Sequence, residues 1–113
     1  MRKSDRIRLQ HMLDAAREAM SFVQRKSREH LERDRLLVLA LVKAIEIIGE
    51  AAYQISPQTR SRTPEIPWED IIGMRHRLHA YFDIDLDILW STVQKDLPQL
   101  TAILESVLKK GEA

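Results

Sequence analysis

The chain has 113 residues, with 18 Lys+Arg against 17 Asp+Glu and a net charge of +1. That length suits a single domain spanning residues 1–113, large enough to bury a core without staples. The lack of cysteine excludes disulfides and cysteine-ligated metal centres, the near-neutral charge excludes a strongly basic nucleic-acid coat, and 44% hydrophobic with 31% charged residues excludes disorder.

Residues 5–26 read as an amphipathic helix, with Ser4 as N-cap and Asp5 in the first turn. Leu9, Met12, Leu13, Ala16, Met20 and Val23 share its apolar face. The opening Met1-Arg2-Lys3-Ser4-Asp5 has none of the apolar run of a secretory signal, which predicts a soluble cytoplasmic protein. A polar stretch from Lys26 to Arg35 follows. Residues 1–36 hold ten basic and six acidic side chains, and residues 37–113 hold eight basic and eleven acidic ones. Such a split permits an anionic partner on one face.

The second helix is the most hydrophobic part, unbroken from Leu36 to Val42 and continued by Ala44, Ile45, Ile47, Ile48, Ala51, Ala52 and Ile55. Lys43, Glu46 and Glu50 interrupt it too soon for a membrane span. Its apolar girdle predicts both several surrounding helices and a second subunit. Gly49 within it suggests a close approach by another helix. Residues 56–66, with two prolines and four Ser/Thr, read as a loop. Pro67-Trp68-Glu69-Asp70 opens a third helix running to about Tyr81. Asp83, Asp85 and Asp87 begin a fourth, which Pro98 kinks or splits and which ends near Lys109 and Lys110. No strand-like alternation is visible. The expected fold is all-α, a four- to five-helix bundle.

Three local patterns invite chemistry. Asp83-x-Asp85-x-Asp87 resembles the start of a calcium loop, but Ile88 stands where the turn glycine belongs and Gln94 where the bidentate glutamate belongs. Acids at a helix N-terminus explain it better. His76 and His79, spaced i, i+3, lack a nearby third metal ligand. His11 and His30 stand alone and read as surface or core-edge residues. The third pattern, Arg75-His76-Arg77-Leu78-His79-Ala80-Tyr81, packs two arginines, two histidines and a tyrosine into seven residues. Arginine holds phosphate bidentately and histidine moves protons near neutrality. Together they suffice to cleave RNA without metal or cofactor. The 2′-oxygen attacks phosphorus, the bond to the 5′-oxygen breaks, and an imidazole protonates the leaving oxygen. Guanidinium stabilises the crowded phosphorane. The products are a 2′,3′-cyclic phosphate and a 5′-hydroxyl. A solvated polar helix face would have the same composition.

Longer motifs narrow the choice. Ala44-Ile45-Glu46-Ile47-Ile48-Gly49-Glu50-Ala51-Ala52, Pro67-Trp68-Glu69-Asp70-Ile71-Ile72-Gly73-Met74-Arg75, His79-Ala80-Tyr81-Phe82-Asp83-Ile84-Asp85, Leu89-Trp90 and Asp96-Leu97-Pro98 occur in that order. Together they make the chain similar to the HepT-like branch of the HEPN superfamily. The resemblance implies a helical homodimeric ribonuclease, the toxin of a type VII toxin–antitoxin pair. Its partner would be a small nucleotidyltransferase antitoxin of the MNT type. It implies that Arg75 binds phosphate, that His79 is the catalytic histidine and that Tyr81 accepts AMP from the antitoxin. The two motifs of a dimer would line one cleft. RNA, with tRNA a candidate, would be the substrate.

The chain departs from the family signature in one respect. Three residues (His76, Arg77, Leu78) separate Arg75 from His79, where the family has four to six. On a regular helix an i, i+4 pair lies about 40° apart and an i, i+5 pair about 140° apart. The expectation is that relatives absorb the extra residue in a π-bulge and that the helix here is regular. Tyr81 would then lie about 200° from His79, so the helix should loosen near Ala80 to bring both to one cleft. Glu50, an acid in a hydrophobic helix, is expected to pair with Arg75 or His79. His76 and Arg77 would support the site. The main alternative is a catalytically inactive HEPN dimer that binds its partner. A third reading is an adaptor that binds RNA without cutting it.

Overall fold

The computed structural model describes residues 1–80 and 83–111. Among these, seven α-helices follow one another: α1 (Lys3–Phe22), α2 (His30–Arg33), α3 (Arg35–Tyr53), α4 (Pro57–Arg62), α5 (Trp68–Leu78), α6 (Leu86–Ser91) and α7 (Leu97–Gly111). The long helices form the expected all-α bundle. α3 packs along α1 and against α5, and α1 packs in turn against α7.

The hydrophobic period explains the arrangement. On α3, Leu37, Val38, Leu41, Val42, Ala44, Ile45, Ile48, Ala51 and Ala52 are buried. At about 100° per residue they occupy roughly half the helix circumference. They join Leu9, Met12 and Ala16 of α1, Ile71 and Leu78 of α5, and Leu97 and Leu104 of α7 in one continuous core. Full burial of a side chain such as Ile45 or Ile48 contributes about 1.5–3 kcal/mol. The other half of α3 stays uncovered: Leu36 is 80%, Leu39 48% and Ile47 39% exposed. Asp34 caps the helix by accepting from the Leu37 N–H at 3.1 Å.

Several elements differ from expectation. α1 starts at Lys3 after Arg2, so Ser4 lies inside the helix, and it ends at Phe22. The polar stretch after it contains α2, whose Leu31 is buried. Residues 56–66 are not all loop. Ser56 accepts from the Thr59 N–H and Pro57 takes the first position of α4, a start signal obscured by the surrounding Ser, Thr and Pro. α4 braces a corner. Arg60 donates to the carbonyls of Ala52 (3.0 Å) and Tyr53 (2.8 Å) at the end of α3, and its guanidinium lies 5.8 Å from the Trp68 ring centre.

A buried polar tie fixes the start of α1 to this corner. Asp5 is only 3% exposed. Its carboxylate accepts from Ser56 Oγ (2.6 Å), Thr59 Oγ1 (2.6 Å) and the Ser56 N–H (3.1 Å). Burial pushes the carboxyl toward its neutral form, but the hydrogen bonds from Ser56 and Thr59, with the charge of Arg2, outweigh it and lower the pKa below 3.8.

The fourth predicted helix is three pieces. α6 ends at Ser91, a π-helical turn spans Thr92–Asp96, and α7 begins at Leu97. The Leu97 N–H reaches back to the Thr92 carbonyl. Pro98 accounts for the widened turn, because its ring crowds the carbonyl four residues back and it offers no N–H. Each acid of the former calcium pattern has a structural task. Asp85 caps α6, Asp87 meets Arg28 Nε at 2.7 Å, and Asp83 lies 3.5 Å from Arg35.

Candidate functional site

α5 carries its acids in the first turn and Arg75, His76 and Arg77 in the last, as the helix dipole favours. Its buried stripe of Ile71, Met74 and Leu78 divides the remaining positions. At about 100° per residue, Ile72, Arg75 and His76 fall on one flank and Arg77 on the other. Arg77 donates to the Asp70 carbonyl of its own helix at 3.1 Å, away from Arg75. Arg77 is not among the residues that line the cleft with Arg75.

Arg75 and His76 line an open cleft of about 480 Å³ between α1, α3 and α5. α1 contributes Arg8 and His11, and α3 contributes Lys43, Glu46, Ile47, Gly49, Glu50, Ala51 and Tyr53. Arg75 Nε lies 3.6 Å from Glu46 Oε1. The Arg75 side chain is 63% exposed, so this ion pair is weakly held and leaves the guanidinium accessible to a phosphate. Glu50 was expected to be the partner. It instead accepts from Gln54 Nε2 at 3.0 Å along its own helix. Both glutamates line the cleft, and Glu46 is the one that meets Arg75. Gly49 does meet α5, with the Ile71 carbonyl 3.6 Å from where a Cβ would stand, but that is an ordinary contact with room for a methyl.

His79 takes a different course. α5 is regular through Leu78, without a π-bulge, and then stops. His79 has φ −96° and ψ 128°, an extended conformation. It pairs with Ile84, and Ala80 with Asp83, in a two-residue antiparallel ladder that sequence periodicity did not foreshadow. The Asp85 N–H closes the end of α5 by donating to the Leu78 carbonyl at 2.6 Å. The regular-helix angle between Arg75 and His79 therefore does not apply. His79 is exposed and is not a lining residue of the cleft. Tyr81, the expected AMP acceptor, lies outside the described residues.

The structure also gathers residues that sequence reading left scattered. His11 stands on the cleft wall, one turn from Arg8, and Lys43 and Tyr53 reach the same cleft from α3. Their i, i+3 and helical-face spacing carried a weak signal, but nothing in the sequence tied α1 to α5. His30 is elsewhere, its Nδ1 accepting from the Ser27 N–H at 3.0 Å.

Comparisons with known proteins identify the family. The family described as Ribonuclease HepT-like matches residues 12–107. A protein of Caldanaerobacter subterraneus subsp. tengcongensis, whose name reads "Putative RNase", is 34% identical over 96% of this chain and 97% of its own length. One from Thermococcus cleftensis, named "Probable ribonuclease HepT", is 34% identical over 96% of this chain and all of its own length, 100%. A "Putative RNase" of Methanocaldococcus jannaschii is 32% identical over 88% of this chain and 92% of its own length. No solved structure is significantly similar to this chain. With the match covering most of its length and the helical bundle in place, the chain belongs to the HepT-like ribonuclease family of the HEPN superfamily.

Proposed function

We propose that this chain is a metal-independent endoribonuclease that acts as the toxin of a type VII toxin–antitoxin pair. The observation that carries the reading is Arg75: an exposed guanidinium at the mouth of a cleft, beside His76 and only loosely paired with Glu46. It binds the scissile phosphate and stabilises the charge of the phosphorane. His79, one residue beyond the helix, moves the proton. The 2′-oxygen of the substrate displaces the 5′-oxygen, which leaves as a hydroxyl.

Two copies act together in this proposal. Leu36, Leu39 and Ile47 form an apolar stripe on the uncovered half of α3, on the same side as Lys43 and Glu50. A second subunit covers that stripe and brings its own Arg75 and His79 to a shared cleft. The antitoxin is a nucleotidyltransferase of the MNT type, which covers the site or transfers AMP to Tyr81. Bulk tRNA incubated in excess EDTA tests the reading. Cleavage leaving cyclic-phosphate ends, lost in Arg75→Ala and in His79→Ala, supports it; no cleavage, or cleavage that needs a divalent metal, contradicts it.

A second reading is favoured by one observation. His79 has left the helix and does not line the cleft with Arg75. On this reading the shortened motif is inactive and the chain is a partner-binding dimer. Insertion of one Val before His79 separates the two readings: cleavage gained only on insertion means that this chain is disarmed by a missing residue.

A further inference from the structure

Three surface arginines outside the cleft meet acids. Arg17 meets Glu105 at 3.0 Å, Arg28 meets Asp87 and Glu32, and Arg35 meets Asp83. The cleft differs. Among the described residues, Arg8 and Lys43 have no ion-pair partner, and they line the cleft with His11, Arg75 and His76. Its two acids are Glu46, 3.6 Å from Arg75, and Glu50, which accepts from Gln54, so the lining carries three Lys/Arg side chains against two carboxylates. At the end of α3, Tyr53 is 68% exposed and lines the same cleft. A large aromatic left this open beside unpaired cations matches the chemistry of a single nucleic-acid strand, in which phosphates meet cations and bases stack on rings.

We infer that the cleft between α1, α3 and α5 is a single-stranded RNA subsite, with Arg8, His11 and Lys43 on the backbone phosphates and Tyr53 stacked on a base. It deepens the ribonuclease reading by assigning the contacts that hold the strand beside Arg75. Arg8 and His11 reach it from one wall, Lys43 and Tyr53 from the floor, and Arg75 and His76 from the other wall. The strand is seated before chemistry, so these residues govern affinity and position rather than bond cleavage.

The test is fluorescence anisotropy with a short labelled 2′-O-methyl RNA, which cannot be cut because its 2′-oxygen is blocked. Binding is followed as a function of salt for the full chain and its variants, with circular dichroism to confirm folding. Each of Arg8→Gln and Lys43→Gln should weaken binding and reduce the slope of log affinity against log salt by about 0.7, the contribution of one phosphate contact on a single strand. Tyr53→Ala should weaken binding by roughly fivefold or more, and Tyr53→Phe should restore it, because the ring and not the hydroxyl stacks. Lys95→Gln, which removes an exposed charge outside the cleft, should change neither slope nor affinity.

Binding by Arg8→Gln and Lys43→Gln with an unchanged slope overturns the inference. So does an equal loss in Lys95→Gln, or no binding by the parent chain. A parent that cuts tRNA while the Arg8, Lys43 and Tyr53 variants bind normally means that the subsite is wrong and the nuclease right. A parent that cuts nothing while the binding pattern holds means the reverse.

Discussion

The Asp5 tie and the Arg75 cleft both gather polar side chains from α1 and from the region around α3, with opposite results. Asp5 is 3% exposed, and its carboxylate takes three hydrogen bonds from Ser56 and Thr59. A buried charge this fully satisfied fixes two elements in place and offers nothing to a ligand. In the cleft, Arg75 keeps 63% of its side chain exposed at 3.6 Å from its partner, and Arg8 and Lys43 line it without one among the described residues. Charge that the fold leaves uncompensated in a concave surface is charge available for binding. On the proposed reading the tie serves stability and the cleft serves RNA binding and cleavage, and substitutions should separate the two.

Arg75→Ala carries the largest expected effect. Loss of one group that stabilises transition-state charge should slow RNA cleavage by about 10²–10³-fold. Because the side chain is mostly exposed, the free energy of unfolding should stay within roughly 0.5 kcal/mol of the parent. Asp5→Ala should do the opposite. It strands the buried hydroxyls of Ser56 and Thr59 and should lower stability by about 2–3 kcal/mol in urea unfolding, with cleavage by the folded fraction unchanged. If Asp5→Ala destroyed activity at a temperature where the chain is folded, the division between tie and cleft would fail.

The acid limb of stability sharpens the same contrast. The Asp5 carboxyl titrates below its ordinary value of 3.8, so the folded state favours the ionised form. Its stabilisation is fully present above the unfolded-state value and is lost as pH falls through the folded-state value. Unfolding curves of the parent and of Asp5→Asn should therefore differ near neutral pH and draw together as the pH drops below the ordinary carboxylate range. A gap that persisted there would assign the effect of the substitution to packing. The smallest effect belongs to Gly49→Ala on the cleft floor. The Ile71 carbonyl lies 3.6 Å from the added methyl, an ordinary contact. Better helix propensity should then raise stability by up to about 1 kcal/mol, and a clear loss would show that α5 sits closer than this geometry has it.

The sequence made some of this legible. Periodicity located α1, α3, α5 and α7 because each buries one face of a long helix, and Pro98 marked the break that the π-turn fills. Ser56-Pro57 is a proper helix start, but the density of Pro, Ser and Thr around it reads as loop, and the tertiary contacts of Ser56 and Thr59 with Asp5 and of Arg60 with Trp68 and the end of α3 hold α4 in place. The end of α5 was hidden for a different reason. Leu78 still fits the buried stripe, and the helix stops there because residues 83–85 return to pair with it. Arg75 and His76 stood out as neighbours in the chain. Glu46 could not be preferred to Glu50 without the crossing of α3 and α5, and Arg8, His11, Lys43 and Tyr53 come together only through helix packing.

The most direct test of the central claim is tRNA cleavage in excess EDTA by the parent, Arg75→Ala and Asp5→Ala, with the product ends identified. The account predicts cyclic-phosphate ends from the parent, the same products from folded Asp5→Ala, and almost none from Arg75→Ala. Parental cleavage that vanishes on chelation, or Arg75→Ala cutting at the parental rate, would contradict it.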